Sequence, residues 1–235
     1  MNSDNCRYNR QLILPEIGEA GQQKLSAARV LIVGVGGLGA PISTYLTGAG
    51  VGTIGLVDSD VVSITNLQRQ VLYTEEQVGL SKVVCAKKRL SAMNSEVTIL
   101  DYNMRLTEEN AEELISQYDI VVDGCDNFAT RYVISDACIK QGKPYVYGAI
   151  TGLEGQVSVL CHQPSPKSYR DLADFLGISP QDTNAKSPVI GVTPGLVGTV
   201  EALQVLQLIC QFGEPLINRL WTIDLRTLQT FCLEF

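Results

Sequence analysis

Apolar residues in this chain fall into short runs separated by glycines and by stretches with helical spacing. Val30–Val33 is too short for a helix and rich in β-branched residues, which predicts a buried strand. A helix is predicted from about Leu38 to Thr47, and a second strand at Thr53–Val57. The alternation continues with a helix opened by Gly79–Lys82 within Glu75–Asn94, a strand at Val97–Leu100, and a helix over Glu108–Gln117 capped by Thr107. A strand at Tyr118–Asp123, a helix to Gln141 and a strand at Lys143–Ala149 follow. After that the βα alternation stops. Gly155–Cys161 alternates as a strand. The polar, Pro-rich stretch His162–Pro188 holds one helical candidate, Tyr169–Gly177, and reads as a crossover over the ligand edge of the sheet. Leu196–Cys210 predicts an apolar helix, and Trp221–Asp224 and Gln229–Leu233 two closing strands. Arg7–Leu14 and Glu16–Ala27 form a helical extension ahead of the first strand. The expected fold is α/β, a Rossmann-like doubly wound and mostly parallel sheet with antiparallel C-terminal strands. It makes one domain over 1–235, divided into an arm (1–28), a nucleotide-binding half (29–150) and a second half (151–235).

Composition narrows the partners. With 45% apolar and 18% charged residues, 235 residues can bury a sizeable core. The net charge is −7 and the cations are scattered, which argues against nucleic acid or a membrane surface. No unbroken run of about 18 apolar residues occurs, so no membrane span is expected. Seven cysteines at wide spacing, without a CxxC, fit reduced thiols in the cytoplasm. The single histidine, His162, reads as a loop residue.

The first strand runs into Gly34, Gly36, Gly37 and Gly39, then a helix, a strand and Asp58. Glycines let a phosphate approach the backbone closely, and the helix start offers unpaired N–H groups. A carboxylate at the end of the next strand can accept from both ribose hydroxyls. A GxGxxG alone is weak evidence; one between two strands with an acid about 20 residues on points to a nucleotide, without naming it. Asp60 is a second acid. Past it, Asn66, Gln68, Arg69 and Gln70 crowd into one short loop, where Arg69 offers a planar fork to phosphate oxygens. Lys82 falls near a helix N-terminus, the wrong end for a cation unless a ligand phosphate is there; an ordinary exposed lysine is the alternative. Asp126 is placed to hold a divalent cation on a triphosphate. Asn127 either joins it or caps the next helix. Arg7 and Arg10, one turn apart, are either a solvated face or an arm over a phosphate, in this protomer or a neighbour.

The segments Arg7–Gln11 (RYNRQ), Gly34–Gly39, Val57–Gln70, Gly79–Lys82 and Asp123–Arg131, in this order, resemble the ThiF/MoeB/HesA adenylyltransferases, bacterial relatives of ubiquitin-activating enzymes. The resemblance implies ATP and Mg²⁺, and adenylylation of the C-terminal Gly-Gly carboxylate of a ubiquitin-like sulfur carrier bound by residues 151–235. By position it assigns Gly36 and Gly39 to the α- and β-phosphates, Asp58 to the ribose, Asn66, Arg69 and Lys82 to phosphate oxygens, and Asp126 to Mg²⁺. Gly37, Gln70 and Asn127 complete the nucleotide-binding set. Arg10 matches an arginine that reaches the γ-phosphate from the other protomer, which implies a homodimer. Many relatives hold a structural zinc on two CxxC pairs. Here Ser168–Asp171 stands in place of one pair and the other is missing, so zinc is not expected. Asn184 stands near the place of a loop cysteine that some relatives use covalently. The alternatives are adenylation of another peptide or small-molecule carboxylate, an NAD-dependent oxidoreductase using the same glycine loop, and a non-catalytic scaffold.

Overall fold

The computed structural model describes residues 7–179 and 188–235. Strands β1 (Arg29–Val33), β2 (Thr53–Val57), β3 (Thr98–Tyr102), β4 (Ile120–Asp123) and β5 (Tyr145–Thr151) are parallel. Strands β6 (Glu154–Leu160), β7 (Arg219–Asp224) and β8 (Gln229–Glu234) extend the same sheet antiparallel. The order is β3-β2-β1-β4-β5-β6-β7-β8. Winding reverses between β1 and β4, and the crevice at their C-terminal ends is the ligand position of such sheets.

The helices are α1 (Asn9–Leu12), α2 (Gly18–Ala27), α3 (Gly39–Ala49), α4 (Lys82–Met93), α5 (Glu108–Ser116), α6 (Phe128–Gln141), α7 (Tyr169–Leu176) and α8 (Val192–Cys210). Successive residues of a strand point to opposite faces. Val30 and Ile32 therefore join one core with Leu46, Val83, Leu90, Val197 and Val205. Leu31 and Val33 join the other with Leu114, Ile115, Ile134 and Leu172. Helices α3, α4 and α8 cover the first face, and α5, α6 and α7 the second. All six residues of β8 are exposed, so among the described residues nothing covers the antiparallel end of the sheet.

Element boundaries shift in understandable ways. Glu75–Gln77 is a 3₁₀ turn, and α4 begins only at Lys82. The apolar helix starts a turn before Leu196, at Val192, with Pro194 in its first turn. Proline is tolerated there because the first N–H groups have no intrahelical partner. By length and mean hydropathy α8 matches a membrane-crossing helix, which a search for an unbroken apolar run does not detect. It packs against α3, β5 and β6 and buries Glu201 and Gln204. Ser168, in place of a zinc-ligand run, caps α7 in a reciprocal bond pair with Asp171. Asn184 lies outside the described residues, with the rest of 180–187 in the expected crossover. Past them, Pro188 accepts a hydrogen bond from Gly152 N–H (2.8 Å) at the tip of the β5–β6 hairpin.

Candidate active site

The glycine loop is shaped by two close approaches. Gly34 has φ +93°, and a Cβ there would lie 2.4 Å from the Gly124 carbonyl oxygen. A Cβ on Gly39 would lie 2.1 Å from the Gly34 carbonyl oxygen. These glycines let β1, α3 and the β4–α6 turn meet. Gly36 differs: its nearest neighbour would be the Gln70 amide nitrogen, 3.3 Å away. Pro194 of α8 and the Arg69 side chain approach Gly37.

Asp58 stands at the end of β2. Its Oδ2 accepts from Val35 N–H (2.9 Å) and its Oδ1 from Asp60 N–H (2.9 Å). Tyr73 OH donates to Val35 O (2.7 Å), so Val35 is gripped on both sides. Burial and the nearby Asp58 push the Tyr73 phenol up, so it stays a donor at all ordinary pH. The loop after β2 contains a 3₁₀ turn, Ile64–Asn66, capped by Ser63 and the Asn66 side chain. Arg69 donates to Thr65 O (3.0 Å) and, among the described residues, makes no ion pair. Gln70 is buried, and its Oε1 has no partner among the described residues.

Lys82 is not the exposed lysine of the alternative reading. It is the first residue of α4, its side chain is 6% exposed, and its Nζ lies 2.9 Å from Asp60 Oδ2. Asn127 takes the capping option: its side chain accepts from Thr130 N–H (2.9 Å) at the start of α6. That leaves Asp126 exposed on the turn between β4 and α6, next to the Gly124 that touches Gly34.

Beneath this turn Asp123 and Arg131, which the sequence places in one motif, meet partners from β5 that the sequence did not indicate. Asp123 is fully buried and accepts from Arg131 Nε (2.9 Å), Tyr145 OH (2.9 Å) and Cys125 N–H (2.9 Å). Arg131 also donates to Gly148 O (3.0 Å) and lies over the Tyr147 ring. Across the sheet, Glu201 of α8 rests against Gly148 with both carboxylate oxygens unpartnered among the described residues. Burial first, and Asp123 second, raise its carboxyl well above the usual range.

Gly36, Gly37, Gly39, Asp58, Asn66, Arg69, Gln70, Lys82, Asp126 and Asn127 all lie at the C-terminal edge of β1, β2 and β4. Arg10 does not join them. Its arm docks at the far end of α3: Gln11 donates to Ala49 O (3.1 Å), Tyr8 packs on Gly50, and Arg7 donates to Met93 O (3.1 Å). Eleven residues of helix, about 16 Å, separate that end from the glycine loop. Arg10 is exposed there, so the described arginines of the arm, Arg7 and Arg10, do not cover the phosphate site of their own chain.

A glycine loop, a strand-end acid, a cation loop and an exposed acid at the switch point of a 3-2-1-4-5 sheet define a nucleotide-binding α/β protein. The sequence matches the ThiF family over residues 8–234, and the chain belongs to that family. It is 45% identical over 212 residues to a probable molybdopterin-synthase adenylyltransferase of Porphyra purpurea, covering 89% of this chain and 55% of the relative. It is 44% identical over 223 residues to the sulfur carrier protein adenylyltransferase of Thermus thermophilus, covering 93% and 82%. A third relative, adenylyltransferase and sulfurtransferase MOCS3 of Culex quinquefasciatus, is 45% identical over 226 residues, covering 95% and 51%. The chain thus spans about half the length of several curated relatives it matches. Among solved structures, E. coli MccB with ATP superposes with a TM-score of 0.84 at 23% identity, covering 99% of this chain and 72% of that one, a likeness of fold.

Proposed function

We propose that this protein adenylates the C-terminal Gly-Gly carboxylate of a ubiquitin-like sulfur carrier, releasing pyrophosphate, in the cytoplasm. The observation that carries this reading is the gathering of Arg69, Lys82 and Asp126 around the glycine loop, in a chain whose relatives are named adenylyltransferases. The carrier carboxylate oxygen forms a bond to the α-phosphorus, and the bond to the bridging oxygen breaks. The electron pair leaves with pyrophosphate and no proton moves, so no general base is required. Both reactants are anions, and the protein's task is to align them and offset charge.

Gly36 leaves room for phosphate oxygens at the backbone, whereas Gly37 is packed against Pro194. Asp58, already fixed by two backbone N–H groups, keeps lone pairs for the ribose. Arg69 and Lys82 supply cations. A single exposed carboxylate, Asp126, suits Mg²⁺, which is held by one or two carboxylates together with substrate phosphates. No three His, Cys, Asp or Glu side chains converge among the described residues, so such an ion would arrive largely with the triphosphate. Bound Mg²⁺ would neutralise phosphate charge. Arg10 is read as acting on the γ-phosphate of a second copy, which makes the active form a homodimer.

The bare end of the sheet supports a protein-sized substrate. Phe231 and Leu233 of β8 are 61% and 43% exposed, and Phe175 of α7, packed on Phe235, is 47% exposed. Four strand spacings, about 19 Å, separate β8 from β4, a distance that roughly six extended residues span. A carrier body seated at β8 would place its tail at the site.

ATP–pyrophosphate exchange tests the reading. Exchange is expected with Gly-Gly-ended sulfur carriers of molybdopterin or thiamin type and not with free peptides of the same ending. It should fall by about 10²-fold or more in Asp126→Ala. Equal exchange with a free peptide would point to a small-molecule or peptide ligase, and no exchange with either carrier would sink the proposal.

A further inference from the structure

Asp60 lies two residues beyond Asp58, and its three polar groups meet the nucleotide-binding residues on either side. Its N–H donates to Asp58 Oδ1 (2.9 Å), its carbonyl oxygen accepts from Lys82 N–H (3.0 Å), and its Oδ2 accepts from Lys82 Nζ (2.9 Å). The two segments are also joined main chain to main chain by Val62 N–H on Leu80 O (2.9 Å) and Gly79 N–H on Val62 O (2.9 Å). Lys82 sits in a hostile place for a cation. Its side chain is 6% exposed, and it occupies the first turn of α4, where helix N–H groups present positive charge. Among the described residues it makes no other ion pair. Asp60 is 66% exposed, so it supplies the countercharge without being desolvated itself.

We infer that Asp60 is a positioning residue for adenylation: it keeps the Lys82 ammonium aimed, and locks it to the ribose-side carboxylate Asp58. This rests on the nucleotide site proposed above. An ammonium has three donors, and Asp60 occupies one. The others remain for phosphate oxygens. Negative charge on the departing pyrophosphate grows as the bridging bond breaks, so a misaimed Lys82 weakens the transition state more than the bound ground state.

Exchange kinetics with the molybdopterin-type and thiamin-type carriers test this. Asp60→Asn should lower kcat on the order of 10-fold while the KM for ATP stays within about threefold. Asp60→Glu, which keeps the charge, should recover most of the loss. The double variant D60N/K82A should be no slower than K82A, because the effect of Asp60 passes through Lys82. The inference is overturned if K82A is impaired while D60N matches the unaltered protein, or if the two losses multiply. If D60N is poorly folded by thermal melting, D60E decides: a loss as large as that of K82A would also overturn it. An unimpaired K82A, or no exchange by the unaltered protein, would instead remove the nucleotide reading on which Asp60 depends.

Discussion

Within the glycine loop, neighbouring glycines are needed for different reasons, and substitution separates them. A methyl group on Gly39 would sit 2.1 Å from a backbone oxygen with nothing flexible to yield. Gly39→Ala is therefore expected to lose the folded state or several kcal/mol of stability, read by urea denaturation. A methyl group on Gly36 meets only the end of the Gln70 side chain at 3.3 Å. Gly36→Ala should melt within a few degrees of the unaltered protein yet raise the KM for ATP about tenfold or more, because the methyl occupies the space a phosphate needs. Glu201 offers a second contrast. Its folded carboxyl titrates well above its unfolded value, because burial disfavours the charged form. Between those two values the folded state holds the extra proton, so stability falls as pH rises through the window and is least affected below it. Glu201→Gln cannot titrate. Its unfolding free energy in urea should gain on that of the unaltered protein as pH rises from 5 to 9, at no more than about 1.4 kcal/mol per pH unit, the slope for one proton. Parallel pH profiles for the two proteins would show that the carboxyl does not titrate in this way.

At the scale of elements, the turn between β4 and α6 is held from two directions. Asn127 caps α6, and Arg131 reaches back from α6 to Asp123 of β4 and to Gly148 O of β5. Asn127→Ala should cost about 1 kcal/mol, the usual value of such a cap, and lower exchange because Asp126 loses its anchor. Arg131→Met should cost about 3–5 kcal/mol in urea denaturation, because it leaves the fully buried Asp123 carboxylate without its cation. The order of strands and helices was legible in the sequence because it depends on local periodicity and on glycines beside apolar runs. Boundaries were less so. The start of α8 at Val192 was hidden by Pro194, whose usual meaning as a helix breaker does not apply in a first turn. The residues proposed for the nucleotide could be proposed from sequence because they come as contiguous motifs. Asp60, although visible two positions after Asp58, gained its meaning only when the fold brought Lys82, 22 residues later, within 2.9 Å. Asp123 and Arg131 share one motif, but the contacts of Asp123 with Tyr145 and of Glu201 with Gly148 join distant elements, and no spacing along the chain encodes them.

For the molecule as a whole, the position of the arm decides how a complete site can form. Arg10 is exposed on α1, and α1 is fastened to the end of α3 that lies farthest from the glycine loop. Within one chain, Arg10 therefore has no route to the phosphates that leaves Tyr8, Gln11 and Arg7 in their contacts. If Arg10 contributes to catalysis, it does so on a second copy, and each site of the proposed dimer draws on two chains. Arg10→Ala alone and Asp126→Ala alone should then each be nearly inactive in exchange. When the two are mixed and allowed to re-associate, half the dimers are mixed, and each mixed dimer holds one site with Asp126 from one chain and Arg10 from the other. Recovery to about one quarter of the unaltered activity is expected. A protein in which Arg10 acts within its own chain would recover nothing, since every site would carry one defect. A protein in which Arg10 has no catalytic part would show full activity in Arg10→Ala before any mixing. The three outcomes are separated by more than the error of a radiochemical exchange assay. They bear on the arm alone, because Arg69, Lys82 and Asp60 are unaltered in both variants.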